Sequence, residues 1–134
     1  MGKEQTAEMI ERAMLGQKRA VKCCELIWNA VSGYRDKELI AAIKREERRH
    51  YYLLEGIYED VTGEECSIPQ ISVALPRQLN DMLRLVLCDK LMAIEHYEAL
   101  QKELTCPRNR DLLEMILCDQ KEHARIFAML YRKT

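Results

Sequence analysis

Apolar residues recur at intervals of three and four along four long stretches of the chain, as at Ile40 and Ile43 in the second stretch. This spacing puts them on one face of an α-helix and is typical of helices that pack around a shared core. We therefore predict an all-α protein with four long helices. Their approximate bounds are residues 6–31, 37–61, 76–104 and 110–132, with the third helix starting at 76 or 77.

Polar residues and glycines between these stretches supply signals for helix ends. Gly33 follows the first helix and Gly63 follows the second, and glycine just after a helix is a common C-cap. Asp36 precedes the second helix and Asn109 precedes the fourth, and both residue types are preferred N-caps. The resulting helical hairpins cover about residues 6–62 and 76–132.

The segment that joins the hairpins, residues 63–75, has no helical period. A bundle helix of about 25 residues is roughly 38 Å long, and about 13 extended residues reach roughly 43–47 Å. The segment is therefore long enough to cross the whole bundle, which is the connection that ferritin-like bundles use. We predict a ferritin-like four-helix bundle, and the length of 134 residues corresponds to a single domain, 1–134.

The two hairpins repeat each other at an offset of 73 residues without a gap. The matches include core, acidic, histidine and tyrosine positions: Met9 and Met82, Glu25 and Glu98, Ile43 and Ile116, His50 and His123, Tyr58 and Tyr131. Glu46 and Asp119 match in kind.

In di-iron bundles of this fold two helices each supply a glutamate, and the other two each supply Glu-x-x-His. Residues three apart share a helix face, so both side chains of that motif point to one ion.

Four motifs resemble those of a known family. They read MIERAMLGQKRAV (9–21), EERRHYYLLEGIY (46–58), CDKLMAIEHYEAL (88–100) and CDQKEHARIFAMLY (118–131). Their order resembles that of the rubrerythrin-like members of the ferritin-like superfamily, whose motifs read approximately Gly-Glu-x-x-Ala, Asp-Glu-x-x-His, Asp-Glu-Leu and Asp-Glu-x-x-His. The resemblance covers almost the whole chain, without a rubredoxin module, and implies a di-iron centre with oxidase or peroxidase activity.

The ligands that this resemblance implies are only partly present. Glu47 and His50 remain in the second helix, and His123 remains in the fourth. The other three ligand positions hold residues without a negative charge: Gln17, Lys90 and Gln120. Asp89 and Asp119 lie one residue off the ligand row, about 100° around the helix, and we do not expect either to replace a ligand.

These changes favour a polar core without metal, in which Glu47 and Lys90 form an ion pair and the two glutamines are neutral partners. We expect no cofactor and a structural, regulatory or binding role. A second interpretation keeps one iron or zinc ion on Glu47, His50 and His123, since two histidines and a carboxylate can form a facial triad. A third retains a di-iron oxidoreductase. A fourth makes Lys90 an amine nucleophile, although a neighbouring carboxylate holds a lysine protonated.

Composition adds few constraints. The net charge of −1, with both signs interleaved, gives no indication of binding to nucleic acid or to a membrane surface. No apolar run approaches the roughly 20 residues that span a bilayer, and the start lacks the layout of a secretion signal, so we expect a cytoplasmic protein. Most of the six cysteines, including Cys88 and Cys118, are expected to be small buried residues. The family resemblance implies a homodimer, and no other protein partner is identified.

Overall fold

The computed structural model describes residues 2–134, and four long α-helices account for most of them. Their bounds are Lys3–Ala30 (α1), Tyr34–Thr62 (α2), Leu79–Glu103 (α3) and Pro107–Arg132 (α4). Helix α1 packs on α2 and α3, and α4 packs on the same two helices. Between residues 2 and 134 there is no strand, and no helix there is long and apolar enough to cross a membrane. The predicted ferritin-like four-helix bundle is confirmed.

One long connection joins the two hairpins, as predicted. It covers residues 63–78, between the end of α2 and the start of α3 at Leu79. Gln78, the last residue of the connection, is extended at φ −85° and ψ 136°. The crossover therefore ends later than the predicted boundary at residue 75. Its backbone is held to the bundle where the amide of Ile68 donates to Tyr51 Oη at 3.0 Å. Val73 and Leu75, further along, pack against the core.

The glycine C-cap predicted for α2 is present, but the glycine C-cap predicted for α1 was wrong. Gly63 follows α2 in the left-handed region at φ 75°, where glycine avoids the strain that a Cβ introduces. Helix α1 ends at Ala30, and Val31 is extended. Gly33, at φ −82°, is the N-cap of α2 rather than the C-cap of α1.

The two predicted N-caps, Asp36 and Asn109, were also wrong. Both residues lie inside the first turn of their helices, which begin earlier than expected. Helix α4 begins at Pro107, whose fixed φ suits the first helical position. The Asp36 carboxylate lies in the first turn of α2, at the positive end of that helix. It also accepts a hydrogen bond of 3.0 Å from the ammonium of Lys133, at the end of α4.

Two apolar clusters fill the bundle, one toward each end. Their largest fully buried members are Ile10, Met14, Leu54, Ile57, Leu100, Leu113 and Ile116 in the first cluster, and Ile27, Ile40, Ile43, Leu83 and Phe127 in the second. Each helix contributes to both clusters. The residues between them on each helix therefore form a separate layer at mid-length, which contains the positions that the sequence singled out.

The cysteines are less buried than predicted. Cys23 and Cys24 are buried, and burial raises the pKa of Cys24 to about 12. Cys88, Cys106 and Cys118 are exposed. Cys88 and Cys118 each lie two residues before a buried polar position, which turns them about 200° around the helix and away from the core.

Candidate functional site

Six buried polar side chains meet at mid-length of the bundle, between the two apolar clusters. This polar layer consists of Gln17, Glu47, His50, Lys90, Gln120 and His123, and each is at most 5% exposed. All four helices contribute, because the same helix faces that supply the apolar clusters continue through the layer. Buried polar groups of this kind destabilise a fold unless they are paired, and no side-chain nitrogen or oxygen buried within residues 2–134 lacks a hydrogen-bond partner.

An ion pair lies at the centre of the polar layer. The Lys90 ammonium donates one hydrogen bond to Glu47 Oε2 and another, of 2.9 Å, to Gln120 Oε1. The Gln120 amide in turn donates to Glu47 Oε1 at 2.8 Å. Burial alone raises the pKa of the Glu47 carboxyl, but the Lys90 charge and the hydrogen bond from His123 outweigh burial and hold it well below its usual range. Glu47 is therefore an anion whose charge Lys90 compensates.

His123 lies between two carboxylates. Its Nδ1 is 2.9 Å from Glu47 Oε1, and its Nε2 is 3.3 Å from Glu46 Oε1. An ionised carboxylate accepts hydrogen bonds and cannot donate them. A neutral imidazole carries one N–H and donates to only one of the two carboxylates at a time, so both contacts are hydrogen bonds only when both ring nitrogens carry a proton.

His50 has a different set of partners. Its Nε2 lies 2.8 Å from Asp119 Oδ2 and donates to it, whereas its Nδ1 lies 3.2 Å from the Gln120 amide nitrogen and accepts from it. These two directions hold for the tautomer protonated on Nε2 alone; Nδ1 also lies 3.4 Å from Glu47 Oε1, so His50, like His123, lies between two carboxylates. The rings of His50 and His123 stack with their centroids 6.0 Å apart.

Gln17 connects α1 to the layer. In the amide orientation that satisfies both of its polar atoms, its oxygen accepts from Tyr97 Oη and its nitrogen donates to Glu47 Oε2 at 3.1 Å. Tyr97 is itself buried, and burial raises the pKa of its phenol. The phenol is therefore a neutral donor that holds the Gln17 side chain in place.

The six positions predicted from the repeat are brought together, but three partners of the layer were missed. Asp119 reaches His50 from α4, and Glu46 reaches His123 from α2. Glu46 and Asp119 are partners in the sequence repeat, so the two contacts are reciprocal, and this symmetry was the available signal. The third missed partner is Tyr97, which the sequence places among several tyrosines with no distinguishing feature.

The residues at these positions do not fit a di-iron centre. Such a centre uses four carboxylates and two histidines, whereas the polar layer offers one central carboxylate, two amides and an ammonium beside the two histidines. Among residues 2–134, Glu47 is the one carboxylate that both histidines approach, and the ammonium is hydrogen-bonded to it. Within residues 2–134 no group of three or more His, Cys, Asp or Glu side chains is placed to hold a metal ion.

This chain resembles known proteins in its three-dimensional structure, and no match was found by sequence. No protein-family model and no curated protein sequence matches the chain. One similar solved structure is a two-domain protein from Anabaena variabilis ATCC 29413 with DJ-1/ThiJ/PfpI-like and ferritin-like domains, at 20% identity and a TM-score of 0.77. The match covers 99% of this chain and 37% of that one, so the chain spans little more than a third of that protein's length.

Several other similar structures are of the protein CopM. Its silver-soaked form matches at 16% identity and a TM-score of 0.79, and its apo form at 16% and 0.78; each match covers 96% of both chains. CopM has also been solved with Cu(II) bound. At these identities the likeness shows the ferritin-like four-helix fold that both sets of structures share.

Proposed function

We propose that this chain is a ferritin-like bundle of rubrerythrin-like descent that has lost di-iron redox chemistry and has a non-catalytic structural, regulatory or binding role. One observation carries the proposal: the buried Lys90 ammonium is hydrogen-bonded to Glu47 and Gln120 at the centre of the bundle. In this account the ammonium supplies the positive charge that metal ions supply in the di-iron members of the superfamily.

Electrostatics support this assignment. Four carboxylates without metal repel one another, and some must take up protons. Here one buried anion, Glu47, faces one buried cation, Lys90, and neutral amides complete the hydrogen bonding. A metal ion at the same place would have to displace the ammonium or lie against it, and either arrangement is unfavourable.

The proposal is tested by measuring the metal content of the untagged protein by mass spectrometry. The protein is measured as purified and again after anaerobic loading with ferrous ions followed by desalting. We expect well below one iron per chain in both samples, because the charge that a metal would neutralise is already neutralised. Retention of two irons per chain would restore the di-iron oxidoreductase.

A single-metal site is the alternative, and one observation favours it. The side chains of His50 and His123 both approach Glu47 Oε1, at 3.4 and 2.9 Å, and CopM, with the same fold, has been solved with copper and silver bound. One equivalent of iron retained after ferrous loading, or of zinc or copper in the protein as purified, and lost in His123→Ala, would establish this alternative.

Assembly and location complete the proposal. We propose a cytoplasmic homodimer, as the rubrerythrin-like resemblance and the composition imply. Sedimentation equilibrium tests the assembly directly. A mass of about 31 kDa, twice the 15.7 kDa of one chain, supports a dimer, and the mass of one chain at micromolar concentration contradicts it.

A further inference from the structure

A cleft between α1 and α3 reaches the polar layer, and neither His50 nor His123 is among its described lining residues. Its volume is about 360 Å³, within the range of small-molecule sites. Glu47 and Gln120, which belong to the two other helices, line its floor together with Lys90. The cleft therefore penetrates to the centre of the bundle rather than being a surface groove.

The floor of the cleft carries an uncommitted hydrogen-bond donor. A lysine ammonium has three N–H bonds, and the described residues accept only two of them, at Glu47 and Gln120. Lys90 lines the cleft and keeps 5% of its surface accessible. An acceptor that enters the cleft would complete its hydrogen bonding.

The charges around the cleft favour an anion. Arg19 is paired with Asp89 at 3.3 Å, and Lys90 is paired with Glu47. Among the described lining residues this leaves the exposed guanidinium of Arg12 as the surplus charge. A ligand with a single negative charge would therefore balance the cleft, whereas a cation would meet like charge on entering.

The walls of the cleft favour a small apolar body. The small and apolar side chains of Ala13, Ala20, Val86 and Ala93 line it, and at Gly16 there is no side chain at all. A Cβ built at Gly16 has nothing within 4 Å, so the space there is open.

We propose that this cleft binds a short-chain monocarboxylate, with the carboxylate accepting from Lys90 and the alkyl chain against the alanine-rich walls. The inference rests on the proposed function, since it needs Lys90 as a buried cation where a metal would otherwise be. It identifies the class of ligand that a binding role at this site would serve.

Amide resonances of the full chain, followed by two-dimensional NMR during titration with sodium butyrate at constant ionic strength, test the proposal. We expect a saturable shift of the Gly16 amide, with Kd on the order of 1 mM, and no shift of the Gly56 amide. Butyramide has nearly the same shape and no charge, so we expect it to bind at least about tenfold more weakly. Sodium chloride at equal concentration supplies the ionic control.

Matched variants locate the site. Gly16→Leu extends a side chain from the wall of the cleft, whereas Gly56→Leu is an equivalent change at an exposed helical glycine of α2 that does not line it. We expect butyrate affinity to fall at least about tenfold in Gly16→Leu and to be unchanged in Gly56→Leu. Both variants should fold, because leucine has a higher helix propensity than glycine.

Four outcomes would overturn the proposal. The first three are no saturable shift of the Gly16 amide, equal binding of butyrate and butyramide, and undiminished butyrate binding by Gly16→Leu. The fourth is a set of cleft resonances that depend on protein concentration instead of butyrate, which would mean that a second copy of the chain covers the cleft. None of these outcomes involves metal. Failure of the proposed function appears separately, as iron retained in the loading experiment.

Discussion

Replacing Lys90 by methionine removes the buried positive charge of the polar layer while keeping most of the volume of the side chain. Glu47 is 0% exposed, so in this variant its carboxylate has lost its main compensating charge in a place that water does not reach. Breaking a buried ion pair in this way costs about 3–5 kcal/mol. The total stability of a protein is about 5–15 kcal/mol, so the expected loss is a large share of the free energy of unfolding.

A second substitution separates the ion pair from side-chain packing. In the double variant Lys90→Met/Glu47→Gln the buried anion is also gone, and replacing both charges together is often nearly neutral. We therefore expect the double variant to recover at least about 2 kcal/mol relative to Lys90→Met, which is a strong coupling by the standard of double-mutant cycles. Arg19→Met is the control, because its pair with Asp89 also links two helices but is about 40% exposed, and its loss should cost at most about 1 kcal/mol.

The measurement is urea unfolding at pH 7, followed by circular dichroism and extrapolated linearly to water. The reasoning is refuted if Lys90→Met loses less than about 1 kcal/mol. It is equally refuted if the losses of Lys90→Met and Glu47→Gln, each measured alone, simply add in the double variant, because the two charges would then not interact.

Three other predictions follow from the same geometry. The polar layer has three positions at which a carboxylate-rich site can be rebuilt: Gln17, Lys90 and Gln120. Changing all three to glutamate should create ferrous binding that the natural chain lacks, with lower stability in the metal-free form; a folded triple variant without iron would mean that our assignment of ligand positions is wrong. The pKa of Glu47 is lower in the folded protein than its unfolded value of about 4.3, and the resulting stabilisation is present above that value and lost as the pH falls below it. The free energy of unfolding should therefore decline less steeply in acid for Lys90→Met/Glu47→Gln than for the natural chain, and equal slopes would contradict this. Gly63→Ala should lower the free energy of unfolding by about 1 kcal/mol, because Gly63 has a φ of 75°. Gly33→Ala should cost clearly less, because Gly33 has a φ of −82°; thermal unfolding of the two variants measures the difference.

The fold could be predicted because its main signals are long and redundant. Four amphipathic stretches and one aperiodic segment long enough to cross the bundle leave few possible architectures. The helix ends were harder, since several residues at each end are suitable as caps and only the packing of the hairpin decides between them. Asp36 and Asn109 illustrate this, because both are good N-caps and both lie within the first turn of their helices.

The six positions of the polar layer could be predicted because the repeat and the helical spacing define one inward row. Their partners could not be predicted in the same way. Glu46 and Asp119 lie one residue off that row, about 100° around the helix, and yet their side chains reach the histidines of the facing helix. The cleft between α1 and α3 depends on how closely two helices approach, which helical periodicity does not specify.

Crystals grown in the presence of ferrous ions and measured at the iron absorption edge test the central claim most directly. We predict no anomalous peak in the polar layer and continuous density for the Lys90 side chain ending within hydrogen-bond distance of Glu47 and Gln120. An iron peak coordinated by Glu47 and the two histidines, with Lys90 displaced, would contradict the account.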